Sequence, residues 1–406
     1  MRSRLISRTV FAPSPAEGVA VMGFSFYTRP VGLDLIGIHW QMTRSDTIDV
    51  AYRRRSHDNG RTWSQAEEIV TGEKVANGVL RSFPFAGHAD PLSGRLLTMR
   101  MEGLLPADDP VRDGPRQWHL HYTVSEDGGQ NEVVRSQVIQ SGPQFDAAHP
   151  LPGLWVGKNA LQLGAITCVP LTLPDGTILV PCQLTPLGDD GEYSNPGGGL
   201  TYYESLVLRG RWRLDKRLDW QSSATVKGDP ERSTRGMIEP TVGLLNDGRV
   251  LMVMRGSNDV KPQVPGTKWF SISSDGGATW TPTAPWAYSD GEVFYSPSSC
   301  SQLLHHSSGA LLWLGNIAPE NPRGNHPRFP LVIGEVDRSN GLLIRDSLSV
   351  IDDRGPDDSE LLMLSNFNAH EDRETGEVVL HMTRLFAAGR HWTADALQYR
   401  LAVEFD

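Results

Sequence analysis

Ser273-Ser274-Asp275-Gly276-Gly277-Ala278-Thr279-Trp280 repeats a pattern that also stands at Ser56-His57-Asp58-Asn59-Gly60-Arg61-Thr62-Trp63. A degenerate third copy, Ser125-Glu126-Asp127-Gly128-Gly129-Gln130, lies between them. These residue types dictate a local structure. Asp and Gly favour a tight turn, the Ser and Asp side chains bond nearby backbone amides, and the Trp packs beneath the turn. Copies so far apart in one chain predict a repeat architecture.

A second repeat alternates with the first. Thr167-Cys168-Val169-Pro170-Leu171-Thr172-Leu173 leads through Asp175-Gly176 to Thr177-Ile178-Leu179-Val180. Glu239-Pro240-Thr241-Val242-Gly243-Leu244-Leu245 leads through Asp247-Gly248 to Arg249-Val250-Leu251. Weaker copies turn at Ser93-Gly94, Ser308-Gly309 and Thr375-Gly376, and an irregular one surrounds Arg29. Each reads as a hairpin of apolar strands. Six hairpins, each followed by a strand pair, predict a six-bladed β-propeller of four-stranded antiparallel blades, in one domain over residues 1–406. The strand from Leu397 to Phe405 is expected to close the ring against N-terminal sequence.

Composition agrees with many strands and turns: 41 Gly and 28 Pro in 406 residues, with 39% hydrophobic residues for a core. The net charge of −10 argues against wholesale nucleic-acid binding. Residues 1–10 carry three arginines but no continuous apolar segment, and no stretch is long enough to span a membrane, so a cytoplasmic protein is expected. The three cysteines, Cys168, Cys182 and Cys300, read as buried thiols. No His/Cys/Asp cluster has metal-ligand spacing and no Gly-rich loop precedes a helix, so neither metal nor nucleotide cofactor is expected.

In a propeller the inner strands converge on a central funnel, which makes the residues that begin them the natural site. Counting back eight positions from each hairpin turn gives Glu239, Thr167, Phe85, Cys300 and Phe367. Glu239 is the one carboxylate in that set. Arg255 ends the next apolar run, Val250-Leu251-Met252-Val253-Met254, where a guanidinium could clamp an acid group; a structural Glu–Arg pair is the alternative.

The Ser-x-Asp-x-Gly-x-Thr-Trp pattern is the Asp box. Together with Glu239-Pro240, Asp247-Gly248-Arg249 and Arg255, it makes the chain resemble the sialidase superfamily over essentially its whole length. That resemblance implies a carbohydrate partner and a site with three arginines on a sugar carboxylate, an Asp acid/base, and a Tyr nucleophile assisted by a Glu. It assigns Arg29, in Tyr27-Thr28-Arg29-Pro30, and Arg255 and Arg328 to the clamp, and Glu239 to the Glu. Asp46, ahead of the strand leading to the first Asp box, takes the acid/base role, with Asp49 as its competitor. The nucleophile's position falls on Phe367, which cannot attack an anomeric carbon. Tyr295 is the substitute nucleophile to consider and His88 and His370 the alternative bases, with His39 and His326 less well placed, and Trp40 or Trp155 could form a sugar platform.

Three functions follow as expectations. The first is an exo-acting glycoside hydrolase removing a terminal acidic sugar, with Asp46 and Glu239 doing the proton work. The second is elimination from an arginine-held uronate. The third is a glycan-binding propeller without turnover.

Overall fold

A computed structural model describes residues 1–405. Six antiparallel sheets follow one another along the chain as the blades of a six-bladed propeller. Among the described residues, helix is confined to Gly114–Gln117 and a 3-10 turn at Arg345–Ser347. None is long and apolar enough to cross a membrane.

Blade 1 holds strands Ala20–Tyr27, Leu35–Met42, Val50–Ser56 and Glu67–Ile69, ordered from the centre outward. Blade 4 repeats that plan with Ile238–Leu244, Val250–Arg255, Lys268–Ser273 and Ala284–Pro285. Blade 6 is closed by the N-terminal strand. Arg2–Ala12 pairs with Ala396–Glu404, from Arg2 opposite Glu404 to Ala12 opposite Ala396. That is the closure predicted from the C-terminal strand, and it ties the two ends of the ring together.

The four-stranded expectation needs one amendment. Blades 2, 3 and 5 carry additional short strands. In blade 2 the inner strand splits into Gly78–Pro84 and His88–Ala89, and Gly72–Val75 adds a hairpin beyond it. In blade 3 it splits into Leu161–Gln162 and Leu171–Thr172. Pro170, which cannot donate to a ladder, stands in that second break.

The core lies between blades. Leu251 and Val253 of blade 4 pack with Leu311 and Trp313 of blade 5 around the fully buried Trp286. The strand Val250–Arg255 is buried at every position. A strand covered on both faces has no polar side to show, hence its continuous apolar run.

The Ser-x-Asp turns hold themselves together as their residue types dictate. The Thr62 amide and hydroxyl donate to the Asp58 carboxylate at 2.8 and 2.6 Å, and the Gly60 amide donates to Ser56 Oγ at 2.8 Å. The Thr62 hydroxyl, then the Thr62 amide and the Ser56 hydroxyl, hold the Asp58 carboxyl down to about 2. In the degenerate copy Asn131 replaces the Thr, donating from its amide side chain to Asp127 at 2.7 Å.

Candidate active site

Strand direction decides which side chains meet. The strand Val50–Ser56 ends in the first Ser-x-Asp turn, and the loop at its other end carries Asp46. Asp46 lines a cavity of about 380 Å³ to which all six blades contribute. Glu239, Arg255 and Arg328 line it too, with Arg235, Tyr203 and Asn366. The Ser-x-Asp turns therefore lie at the opposite end of the blades from this funnel.

Seven non-glycine residues among those described have positive φ, and four of them line the funnel: Asp46 (55°), Glu239 (50°), Asn366 (58°) and Phe386 (62°). Such strain persists only where surrounding structure imposes it, and it gathers at functional sites. The imposing contacts are visible at Glu239. Its amide donates to Gln183 Oε1 at 2.8 Å, and the Gln183 amide donates to Gln162 at 3.2 Å. Gly164 makes room for this, because a Cβ there would lie 2.3 Å from Gln183 Oε1.

Arg255 ends its strand beside the start of the inner strand of blade 4, opposite Ile238 in the ladder. Its three nitrogens go to three partners: Nη1 to Glu239, Nε to Ser298 Oγ at 2.8 Å, and Nη2 to Asn325 at 3.1 Å. Arg328 donates to the Ser298 carbonyl at 2.8 Å and to Ser365 Oγ at 3.1 Å. Ser298 thus ties the two guanidiniums together, one through its hydroxyl and one through its carbonyl. Burial, followed by repulsion from Arg255, pushes the Arg328 pKa below its usual value.

Arg235 is the third arginine. It precedes blade 4, donates to Thr201 Oγ1 at 2.6 Å, and has its pKa pushed down by burial and then by Arg255. Backbone bonds from Tyr203 to Arg235 and from Met237 to Tyr203 lock its segment in place. Gly236, at φ 67°, permits the approach, since a Cβ there would sit 2.1 Å from the Tyr203 carbonyl. Glu239 Oε2, Arg235 Nε and Arg328 Nε are buried without a hydrogen-bond partner among the described residues. Three guanidiniums against the half-buried Glu239 leave this part of the funnel cationic, which suits an anion.

Arg29 is not part of this group. The inner strand of blade 1 starts at Ala20, so Arg29 falls in the hairpin turn at the far end, exposed, where its carbonyl accepts from Arg373. Phe367 does not line the funnel either; it is fully buried in the core of blades 5 and 6. The hairpin turn of blade 6 spans residues 372–377 between the paired Glu371 and Val378, against 245–249 between Leu244 and Val250 in blade 4. One extra residue slips the count by one, and the position matching Glu239 is Asn366.

The remaining candidates also lie elsewhere. Tyr295 is 41% exposed and away from the cavity, bonded through its backbone to Ala318. His88 bonds Thr172 at 2.7 Å, and His370 meets Tyr27 edge-on with centroids 5.6 Å apart. Burial holds both imidazoles down to about 4. His39 stacks on Tyr52, and His326 and Asp49 do not line the cavity. Trp40 does; Trp155 instead stacks on His149. The three cysteines are free and buried. Among the described residues no group of three or more His, Cys, Asp or Glu could hold a metal ion.

The BNR repeat-like domain matches residues 141–378, more than half of the chain. Solved structures of similar fold include a protein of unknown function from Dyadobacter fermentans, 15% identical, with 99% of each chain covered and a TM-score of 0.61. The Hadza microbial sialidase Hz136 is 13% identical over 94% of this chain and 65% of its own, with a TM-score of 0.61. The intramolecular trans-sialidase from Ruminococcus gnavus is 12% identical over 98% and 97%, with a TM-score of 0.58. At these identities the likeness establishes a sialidase-like fold. No curated protein matches the chain in sequence.

Proposed function

The chain belongs to the BNR repeat-like domain family, and we propose that it is an exo-acting glycoside hydrolase that removes a terminal acidic sugar from a glycan. One observation carries this reading: Arg235, Arg255 and Arg328 line one funnel together with Glu239. An excess of guanidinium charge gathered in one part of the funnel is matched by an anionic group such as a sugar carboxylate.

Two carboxylates supply the proton chemistry. Asp46 stands on a rim loop, where a protonated carboxyl reaches the glycosidic oxygen and donates to the departing alcohol. Glu239 lines the same funnel with no protein partner on Oε2, and its carboxylate serves as the base that takes the proton of an attacking water. Asn366 occupies the register where the resemblance puts a nucleophilic Tyr. Its amide cannot form a glycosyl–enzyme bond, which favours direct attack by water and inversion at the anomeric carbon.

The test is a product assay on aryl and oligosaccharide glycosides of sialic and uronic acids. Release of reducing sugar without new ultraviolet absorbance, lost in Asp46→Asn and in Glu239→Gln, is the expected result. Absorbance from an unsaturated uronate would replace hydrolysis with elimination. Binding without either product would make the propeller a glycan-binding module.

A further inference from the structure

The funnel is lined unevenly. Its arginines come from blades 4 and 5 and the segment before blade 4, whereas blades 6, 1 and 2 contribute mainly apolar side chains, among them Met22, Trp40, Met363, Phe386 and Trp392. Phe386 has φ 62°, a conformation that bulky side chains avoid. Its ring meets Trp392 edge to face, with centroids 5.1 Å apart. Both rings pack on the cluster containing Trp40, Met42 and Ile48, which is the strand end and loop that carry Asp46. A sugar hydroxyl pressed against this wall would lose its water and gain no partner. Methionine and aromatic side chains instead suit a flat apolar group.

We infer that the substrate is an acidic glycoside with an aromatic aglycone, its carboxylate on the arginines and its aglycone against Phe386, Trp392, Trp40 and Met22. The inference rests on the acidic-sugar reading above and adds the chemistry of the leaving group. Asp46 sets the orientation. The acid that protonates the leaving oxygen must lie beside the aglycone, and Asp46 rises from the apolar side of the funnel.

Calorimetric titration with inert thioglycosides separates the two claims. The probes are the S-methyl and S-benzyl thioglycosides of N-acetylneuraminic acid and of glucuronic acid, tested on wild type, Phe386→Gly and Arg255→Ala. Glycine at 386 removes the ring and accepts the positive φ, so the backbone conformation there is kept. For the acid that binds, the benzyl compound should bind about ten-fold or more tightly than the methyl one. In Phe386→Gly that advantage should fall below about two-fold, whereas Arg255→Ala should weaken both compounds alike. Equal affinities in wild type, or a benzyl advantage that survives Phe386→Gly, would overturn the aromatic-aglycone inference and leave the acid clamp intact. Failure of both acids to bind wild type would overturn the acidic-sugar reading and this inference with it.

Discussion

Arg255 donates to one oxygen of Glu239 and leaves the other, Oε2, buried without a partner. The pair is therefore incomplete, unlike a structural ion pair that closes on itself. Removing Arg255 should weaken binding of an acidic sugar by about 1.5–3 kcal/mol, roughly ten- to a hundred-fold, with little change for its neutral analogue. Titration of Arg255→Ala with both ligands measures this. Equal losses would make the pair structural.

Gly236 sets the third guanidinium. Gly236→Ala puts a Cβ against the Tyr203 carbonyl and strains a positive φ, at a cost of about 1–3 kcal/mol. Acidic-ligand affinity should fall although every arginine is still present. Unchanged affinity in a folded Gly236→Ala protein would remove Arg235 from the clamp.

The sixth blade offers a paired test. Phe367→Tyr buries a hydroxyl in the apolar core and should lower stability to urea by about 1–3 kcal/mol without creating a nucleophile. Asn366→Gly, at a positive φ that glycine accepts, should keep the fold and alter turnover. Covalent trapping of Phe367→Tyr by a fluorinated sialic acid would contradict this register.

Acid should destabilise the fold in a definable window. His39, His88, His305 and His370 are held down to about 4 by burial. The unfolded chain takes up these protons near pH 6.5 and the folded chain only near pH 4, so stability falls as pH drops between those values and this contribution levels off below them. Asp58, held to about 2, contributes only in more acidic solution. Urea unfolding free energies at about pH 7, 5.5 and 4.5 check this. A flat profile would mean that the imidazoles titrate normally when folded.

The propeller was legible because its signals are local: turn residues at fixed offsets and apolar strands between them. Glu239 came from the same arithmetic and Arg255 from the end of the next apolar run, while Asp46 and Arg328 were assigned by the resemblance; the structure places all four on one funnel. Arg29 failed because Tyr-Thr-Arg-Pro marks the end of an inner strand, and an apolar run does not announce its direction toward the site. Phe367 failed through one added turn residue. Arg235 was missed because it lies between blades, where no periodicity exists. Its one signal is Arg235-Gly236 three residues before Glu239. Ser298, which joins two arginines through both its oxygens, leaves no trace in the sequence at all.

A crystal structure with a soaked acidic monosaccharide tests the central claim most directly. The account predicts the sugar carboxylate in contact with Arg235, Arg255 and Arg328, with the anomeric carbon facing Asp46 and Glu239 Oε2. A carboxylate turned to solvent, or a sugar bound outside the funnel while the three arginines keep their present partners, would contradict it.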